Sequence, residues 1–176
     1  MRKTISILES ITTFFGKYFS WASSFLVWLI CIDVLMRYFF NFTLIWIVEL
    51  ETYFFALIFL MGGAYAFKHD KHVRVDLFYA DYSPKKKAWV NLTSGLLFLI
   101  PWSAVAVIVI WRYFYFSWTW GEKSAQPGGL PAVYVLKFFM WLGFLLLLLQ
   151  AVASVLRSIL VIRGEENTNQ QGHETP

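Results

Sequence analysis

Residues 68–87 are the first place where this sequence could support chemistry, because they gather much of its charge between two long apolar stretches. His69, His72 and Asp76 are three and four positions apart, which places them on one face of a helix. Three such side chains are few for a metal site, so we expect no metal to bind in this stretch. We interpret the stretch as an interfacial helix whose basic residues reach anionic lipid headgroups. The residues of this interfacial element are His72, Arg74, Asp76, Lys85, Lys86 and Lys87.

A second polar group lies inside apolar segments, where charge is costly and is usually paired or functional. Asp33 and Arg37 are four residues apart and can pair on one helix face. An ion pair from Arg37 to Glu49 or Glu51, across a helical hairpin, is the leading hypothesis. The two glutamates lie about 200° apart around a helix, so they serve different faces. One can pair within the chain while the other meets a partner protein. Trp46 lies at the membrane interface.

The composition predicts an integral membrane protein. The chain has 176 residues, of which 59% are hydrophobic, 20% aromatic and only 15% charged. Its apolar residues form blocks long enough to cross a bilayer, which takes about 20 helical residues. We therefore predict an all-α, polytopic protein with four transmembrane helices in one membrane domain, residues 1–162. The predicted spans are about 14–40, 44–67, 88–111 and 132–162, and the first has a short amphipathic helical lead-in.

Features within and between the spans predict local geometry. Asn41 marks a tight turn between the first two spans. Small residues in the second span offer a flat patch for close helix contact. The patch comprises Gly62, Gly63, Ala64 and Ala66. Pro101 should kink the third span or leave a carbonyl free for a neighbour.

The distribution of positive charge predicts the topology. With four spans, both termini and the central hinge (68–87) share one side, and that side carries eleven of the fifteen lysines and arginines. The positive-inside rule places it in the cytoplasm and the loop 112–131 in the periplasm, for a multi-pass protein of the bacterial inner membrane. The tail, residues 163–176, is polar and is expected to be disordered.

The sequence indicates neither an enzyme nor an independent channel. All three histidines lie outside the spans, although a haem-binding anchor needs axial ligands inside the bundle. The deep parts of the spans hold no carboxylate for proton exchange, and Ser124 and His173 have no plausible catalytic partners. A scaffold subunit is the leading interpretation. The alternatives are the membrane anchor of a redox enzyme complex and a small exchanger that acts by itself.

An ordered set of motifs resembles a known family. The motifs are I-D-V-L-M-R-Y at 32–38, W-I-V-E-L-E at 46–51, G-G-A-Y-A-F-K at 62–68, H-V-R-V-D at 72–76 and G-E-K-S-A-Q-P-G-G-L-P at 121–131, followed by Lys137 and Gln150. In this order, they resemble the small membrane subunit of tripartite ATP-independent periplasmic (TRAP) transporters. The resemblance covers nearly the whole chain, from about Phe14 to Arg157.

The resemblance implies a function that the residues alone do not supply. It implies a large permease subunit that carries an organic anion, often a carboxylate, with sodium, and a periplasmic protein that delivers the anion. The small subunit would scaffold the fixed part of the large one, with no cofactor of its own. Arg37, Trp46 and Glu49 or Glu51 would make structural or partner contacts. The periplasmic loop, with Pro127, Gly128, Gly129 and Pro131, could touch the binding protein.

Overall fold

The computed structural model describes residues 2–69 and 82–164 of the chain. Throughout this part, the regular structure is helical, and four segments are long and apolar enough to cross a membrane. The predicted all-α fold with four membrane helices is thereby confirmed. The helices are α1 (Arg2–Phe40), α2 (Ile45–Lys68), α3 (Pro84–Ser94), α4 (Ile100–Thr119) and α5 (Val133–Ile162), and a π-helical turn (Gly95–Leu99) joins α3 to α4.

The helices differ from the predicted spans at three ends. The amphipathic lead-in is continuous with the first span, so α1 begins at Arg2. The third span begins at Pro84, which suits the first turn of a helix because proline has no N–H to leave unpaired. At its other end α4 continues to Thr119 through the aromatic cluster, so the polar loop begins at Trp120 rather than at residue 112.

Helix α5 is the centre of the bundle. It packs against α1, α2, α3 and α4, and it contributes more buried residues than any other described helix. The core lies where Leu146 of α5 meets Met61 and Ala64 of α2, with aromatic side chains of α1 packed against them. The other three spans surround this helix and expose large apolar side chains outward.

The closest helix contacts use glycines other than those of the predicted patch. A Cβ at Gly16 of α1 would lie 2.6 Å from Tyr65 of α2, and one at Gly143 of α5 would lie 3.0 Å from Leu60. By contrast, Gly62 and Gly63 have nothing within 4 Å of a built Cβ. The predicted patch is therefore wrong at these two positions, because they face away from the described helices, whereas Ala64 is buried in the core.

The irregularity predicted at Pro101 is present as the π-helical turn. Proline has no N–H to donate, and its ring crowds the carbonyl four residues back. In the turn that precedes it, the N–H of Ile100 donates to the carbonyl of Gly95, five residues back, instead of to the fourth. The helix thus continues past the proline, and the Ser103 hydroxyl donates to the backbone carbonyls of Leu99 at 2.6 Å and Ile100 at 3.1 Å.

The bundle has two polar ends. Glu9, Lys68 and Arg157 meet at one end, which we call the terminal end because α1 begins there and α5 finishes there. The α1–α2 turn and residues 120–132 meet at the other, which we call the loop end. Asn41, in the turn, adopts a left-handed conformation with φ of 47° that asparagine tolerates, as its predicted turn requires.

Candidate functional site

At the loop end, the segment 120–132 is folded onto a single carboxylate of α2. One carboxylate oxygen of Glu49 accepts a hydrogen bond from the Ser124 hydroxyl, and the other accepts one from the backbone N–H of Leu130 at 2.6 Å. The loop also closes on itself, since the N–H of Ser124 donates to the carbonyl of Leu130 at 3.0 Å. Glu49 therefore holds both arms of the loop at once.

The glycines of the loop permit this close approach. A Cβ on Gly129 would lie 2.5 Å from the Ser124 hydroxyl oxygen and 2.7 Å from a carboxylate oxygen of Glu49. Gly128 has φ of 80°, a conformation that side chains other than glycine's rarely adopt. Position 129 thus needs glycine for space and position 128 needs it for backbone conformation. The two glycines of the Pro-Gly-Gly sequence therefore allow the loop to approach Glu49 closely.

A second contact fixes the junction of the loop with α5. The ammonium of Lys137 pairs with the carboxylate of Glu122 and lies 3.7 Å from the centre of the Tyr113 ring on α4. The Lys137 side chain is buried, whereas that of Glu122 is 42% exposed. The hydrogen bond from Lys137 lowers the pKa of the Glu122 carboxyl. This pair connects α4, the loop and α5.

The hypothesis of an ion pair from Arg37 to Glu49 or Glu51 is wrong. The guanidinium of Arg37 pairs at 2.5 Å with Asp33, one turn earlier on its own helix. Glu49 instead accepts hydrogen bonds from the loop. The pair within α1 forms because a spacing of four residues places both side chains on one face. Asp33 is buried, while the Arg37 side chain is 52% exposed and leaves donors directed outward.

Glu51 differs from Glu49 in having an unused oxygen. Its Oε1 atom is buried, yet it has no hydrogen-bond partner among the described residues. A buried polar atom without a partner is costly, which makes this side chain a candidate for a contact with another subunit. Trp46 is 42% exposed near the start of α2 and offers a second such contact.

At the terminal end, one carboxylate joins three helices. Glu9 of α1 accepts from Arg157 of α5, with 3.2 Å between the closest atoms, and lies 4.0 Å from the ammonium of Lys68 at the end of α2. Lys68 also donates to the hydroxyl of Thr13 at 2.7 Å. Sequence reasoning missed this cluster. A usable signal was that Glu9 is near the start of α1, whereas Lys68 and Arg157 are near the ends of α2 and α5, which the four-span topology places on the same side of the membrane.

The predicted interfacial element lies only partly within the described residues. His72, Arg74 and Asp76 lie outside them, as does the predicted interfacial helix. Residues 165–176, which form most of the predicted tail, also lie outside them. Lys85, Lys86 and Lys87 occupy the first turn of α3, where Ser83 caps the helix. Among the residues that can be described, no group of three potential metal ligands comes together.

Four membrane helices with a folded polar loop at one end define a polytopic membrane subunit. A family model described as "Tripartite ATP-independent periplasmic transporters, DctQ component" matches residues 26–161, most of the chain. The chain therefore belongs to this family, and it is a small permease subunit of a TRAP transporter. Comparisons with curated proteins and with solved structures found no match.

Proposed function

We propose that this subunit scaffolds the fixed domain of the large permease subunit during sodium-coupled uptake of an organic anion, such as a carboxylate. A periplasmic binding protein delivers the anion, and the large subunit carries it together with the sodium. Membership of the family supports this assignment. In the proposed orientation, both termini lie in the cytoplasm and the loop end faces the periplasm, as the distribution of lysine and arginine favours.

The observation that carries the proposal is the outward-facing apolar surface of α1 and α4. Trp21 and Trp28 of α1 are 76% and 70% exposed, and Trp102 of α4 is 70% exposed. Such side chains belong against lipid or against the helices of a partner subunit. A carrier domain that moves through the bilayer needs a stationary neighbour that does not tilt, and aromatic side chains at the interfaces resist tilting.

The loop end supplies a rigid surface for the binding protein. Glu49 and the Glu122–Lys137 pair hold the loop, and the exposed side chains of Lys123 and Gln126 project from it. A preformed loop loses little conformational freedom when a partner docks, which favours binding. Glu51 and Arg37, with their unused oxygen and outward donors, are the polar groups that we assign to contacts between the membrane subunits.

Photo-crosslinking in membranes tests the scaffold. A photoreactive amino acid replaces Trp28 on α1 or Ile108 on α4, both exposed, and a third variant carries it at the buried Leu146 as a control. We expect a covalent adduct with the large permease subunit from position 28 or position 108, and none from position 146. Failure of both exposed positions, in membranes that contain both subunits, would contradict the proposal. A haem absorbance band from the purified chain would instead favour a redox anchor.

Uptake by reconstituted transporter tests the role of the loop. Lys123→Glu reverses a charge on the loop, and Lys85→Glu makes the same change at the opposite end of the bundle. We expect Lys123→Glu to raise the concentration of binding protein required for half-maximal uptake by about tenfold, since like charges at an interface are repulsive. Lys85→Glu should leave that concentration unchanged. Equal values for the two variants would exclude a docking role for the loop.

A further inference from the structure

A groove of mixed chemical character lies at the terminal end, between the beginning of α1 and the last residue of α2. It encloses a cavity of about 600 Å³. Lys68 of α2 closes it on one side. Its other wall consists of residues three or four positions apart on α1, which therefore share one face of that helix. These are Ser10, Thr13, Phe14, Lys17, Tyr18 and Trp21.

The part of the groove near the terminal end carries positive charge and hydroxyl groups. Lys17 is exposed, and no carboxylate among the described residues lies within ion-pair distance of it. The ammonium of Lys68 donates to Thr13 at 2.7 Å and shares Glu9 with Arg157. Lys17 and Lys68 thus face the groove with one nearby carboxylate, Glu9, so the described charges leave this wall positive.

The part of the groove farther from the terminal end is aromatic. Tyr18 and Trp21 are 64% and 76% exposed and follow Lys17 along α1, whereas Phe14, 56% exposed, precedes it. Lys17 is the last charged residue before the uncharged centre of the span, residues 18–32. The ammonium therefore lies at the depth of the lipid headgroups, and the rings lie at the depth where acyl chains begin.

We propose that this groove binds one anionic phospholipid. Lys17 and Lys68 contact the headgroup phosphate, the hydroxyls of Ser10 and Thr13 hydrogen-bond to it, and the acyl chains run along Tyr18 and Trp21. The excess of positive charge selects an anionic headgroup over a zwitterionic one. The aromatic wall selects a lipid over free phosphate, because only the lipid buries apolar surface there. This site is separate from the loop and does not depend on the scaffold role.

Native mass spectrometry of the full chain, released from detergent micelles, tests the site. The probes are phosphatidylglycerol and phosphatidylcholine with identical acyl chains, each titrated against the protein. We expect phosphatidylglycerol to bind the unaltered chain about fivefold more tightly or better. Lys17→Gln should weaken that binding about fivefold, the contribution of one basic residue near a lipid surface. Lys123→Gln, which removes one exposed positive charge at the opposite end of the bundle, should not.

Three results would overturn the proposal. The first is equal affinity for the two lipids, and the second is equal weakening by Lys17→Gln and Lys123→Gln. The third is displacement of phosphatidylglycerol by an equal concentration of inorganic phosphate, which would indicate a site for a free anion. Lys17 is exposed and lies outside the Glu9 cluster, so its replacement leaves the contacts between helices in place. A loss of binding therefore reports on the groove and not on unfolding.

Discussion

The two polar ends of the bundle use a carboxylate in opposite ways. At the loop end, Glu49 accepts hydrogen bonds from two neutral donors, a hydroxyl and a backbone N–H, which belong to one loop. At the terminal end, Glu9 meets two cations, which belong to two different helices. The first arrangement positions a surface segment, whereas the second ties the spans together.

The difference indicates how each end should respond to damage. A loop can detach locally while the helices beneath it stay packed, since local opening requires less free energy than unfolding of the whole. Lys68 and Arg157 have side chains that are only 16% and 24% exposed, so loss of their shared carboxylate disturbs partly buried charges on α2 and α5 at once. Damage to the loop end should therefore be local, and damage to the terminal end should be global.

The largest effect is expected from Glu9→Gln, which removes the shared carboxylate. Lys68 and Arg157 then lose their shared carboxylate in partly buried positions, and removing one partner of a buried ion pair is strongly destabilising. We expect the free energy of unfolding to fall by about 2–3 kcal/mol. Unfolding of the full chain by sodium dodecyl sulfate in mixed micelles, followed by tryptophan fluorescence, measures it.

Two further variants make that measurement specific. Lys3→Gln removes an exposed charge from the same part of α1 and should have little effect. The double variant Glu9→Gln/Lys68→Gln should recover part of the lost stability, because one of the two cations that shared Glu9 is gone. If Glu9→Gln and Lys3→Gln unfold alike, the terminal end does not tie the helices and the comparison fails.

Glu49→Gln should act locally at the loop end. The amide has one acceptor oxygen in place of two, so either Ser124 or Leu130 loses its hydrogen bond. We expect loop opening to become easier by about 1–2 kcal/mol, with little change in global unfolding. Limited trypsin cleavage after the exposed Lys123 should then be about tenfold faster. Cleavage after Lys85 in the same sample serves as the internal control, and an unchanged ratio of the two rates would contradict the role assigned to Glu49.

A smaller effect is expected from Gly129→Ala. The added methyl group would crowd both the Ser124 hydroxyl and the Glu49 carboxylate, so the loop must shift at a cost of about 1 kcal/mol. Cleavage after Lys123 should be about fivefold faster. Gly62→Ala is the matched control, because nothing lies within 4 Å of a Cβ at that helical position. Equal cleavage of the two variants would show that Gly129 does not set the distance between the loop and α2.

The sequence predicted the spans well because each crossing needs a long apolar segment, a one-dimensional property. The four helices, the turn at Asn41 and the irregularity before Pro101 follow from local residue preferences. The ends were less predictable, since an aromatic cluster such as residues 111–119 suits either a helix end or a loop at the interface. Hence the loop was expected eight residues too early.

Partners of charged residues were harder to predict because they depend on how helices rotate about their axes. Arg37 was assigned to a glutamate of α2, but the carboxylate one turn away on α1 reaches it without any such rotation. Glu49 was assigned as a partner of Arg37 or of another protein, yet its partners within the chain lie more than 70 positions later. Glu9 was assigned no partner, although the rotation of α1 directs it toward α2 and α5.

The smallest effect is expected from Glu122→Gln, and its size should depend on pH. Its folded-state pKa is lowered by the hydrogen bond from Lys137, so the carboxylate contributes stability above its unfolded pKa. That contribution is lost as pH falls through the folded pKa, below the ordinary value of 4.5. The stability difference between the unaltered chain and Glu122→Gln should therefore be constant near pH 7 and shrink below pH 4.5. Unfolding in mixed micelles across this pH range measures it, with Lys137→Gln expected to abolish the same pH dependence. A difference that persists unchanged at low pH would mean that charge on Glu122 does not stabilise the loop end.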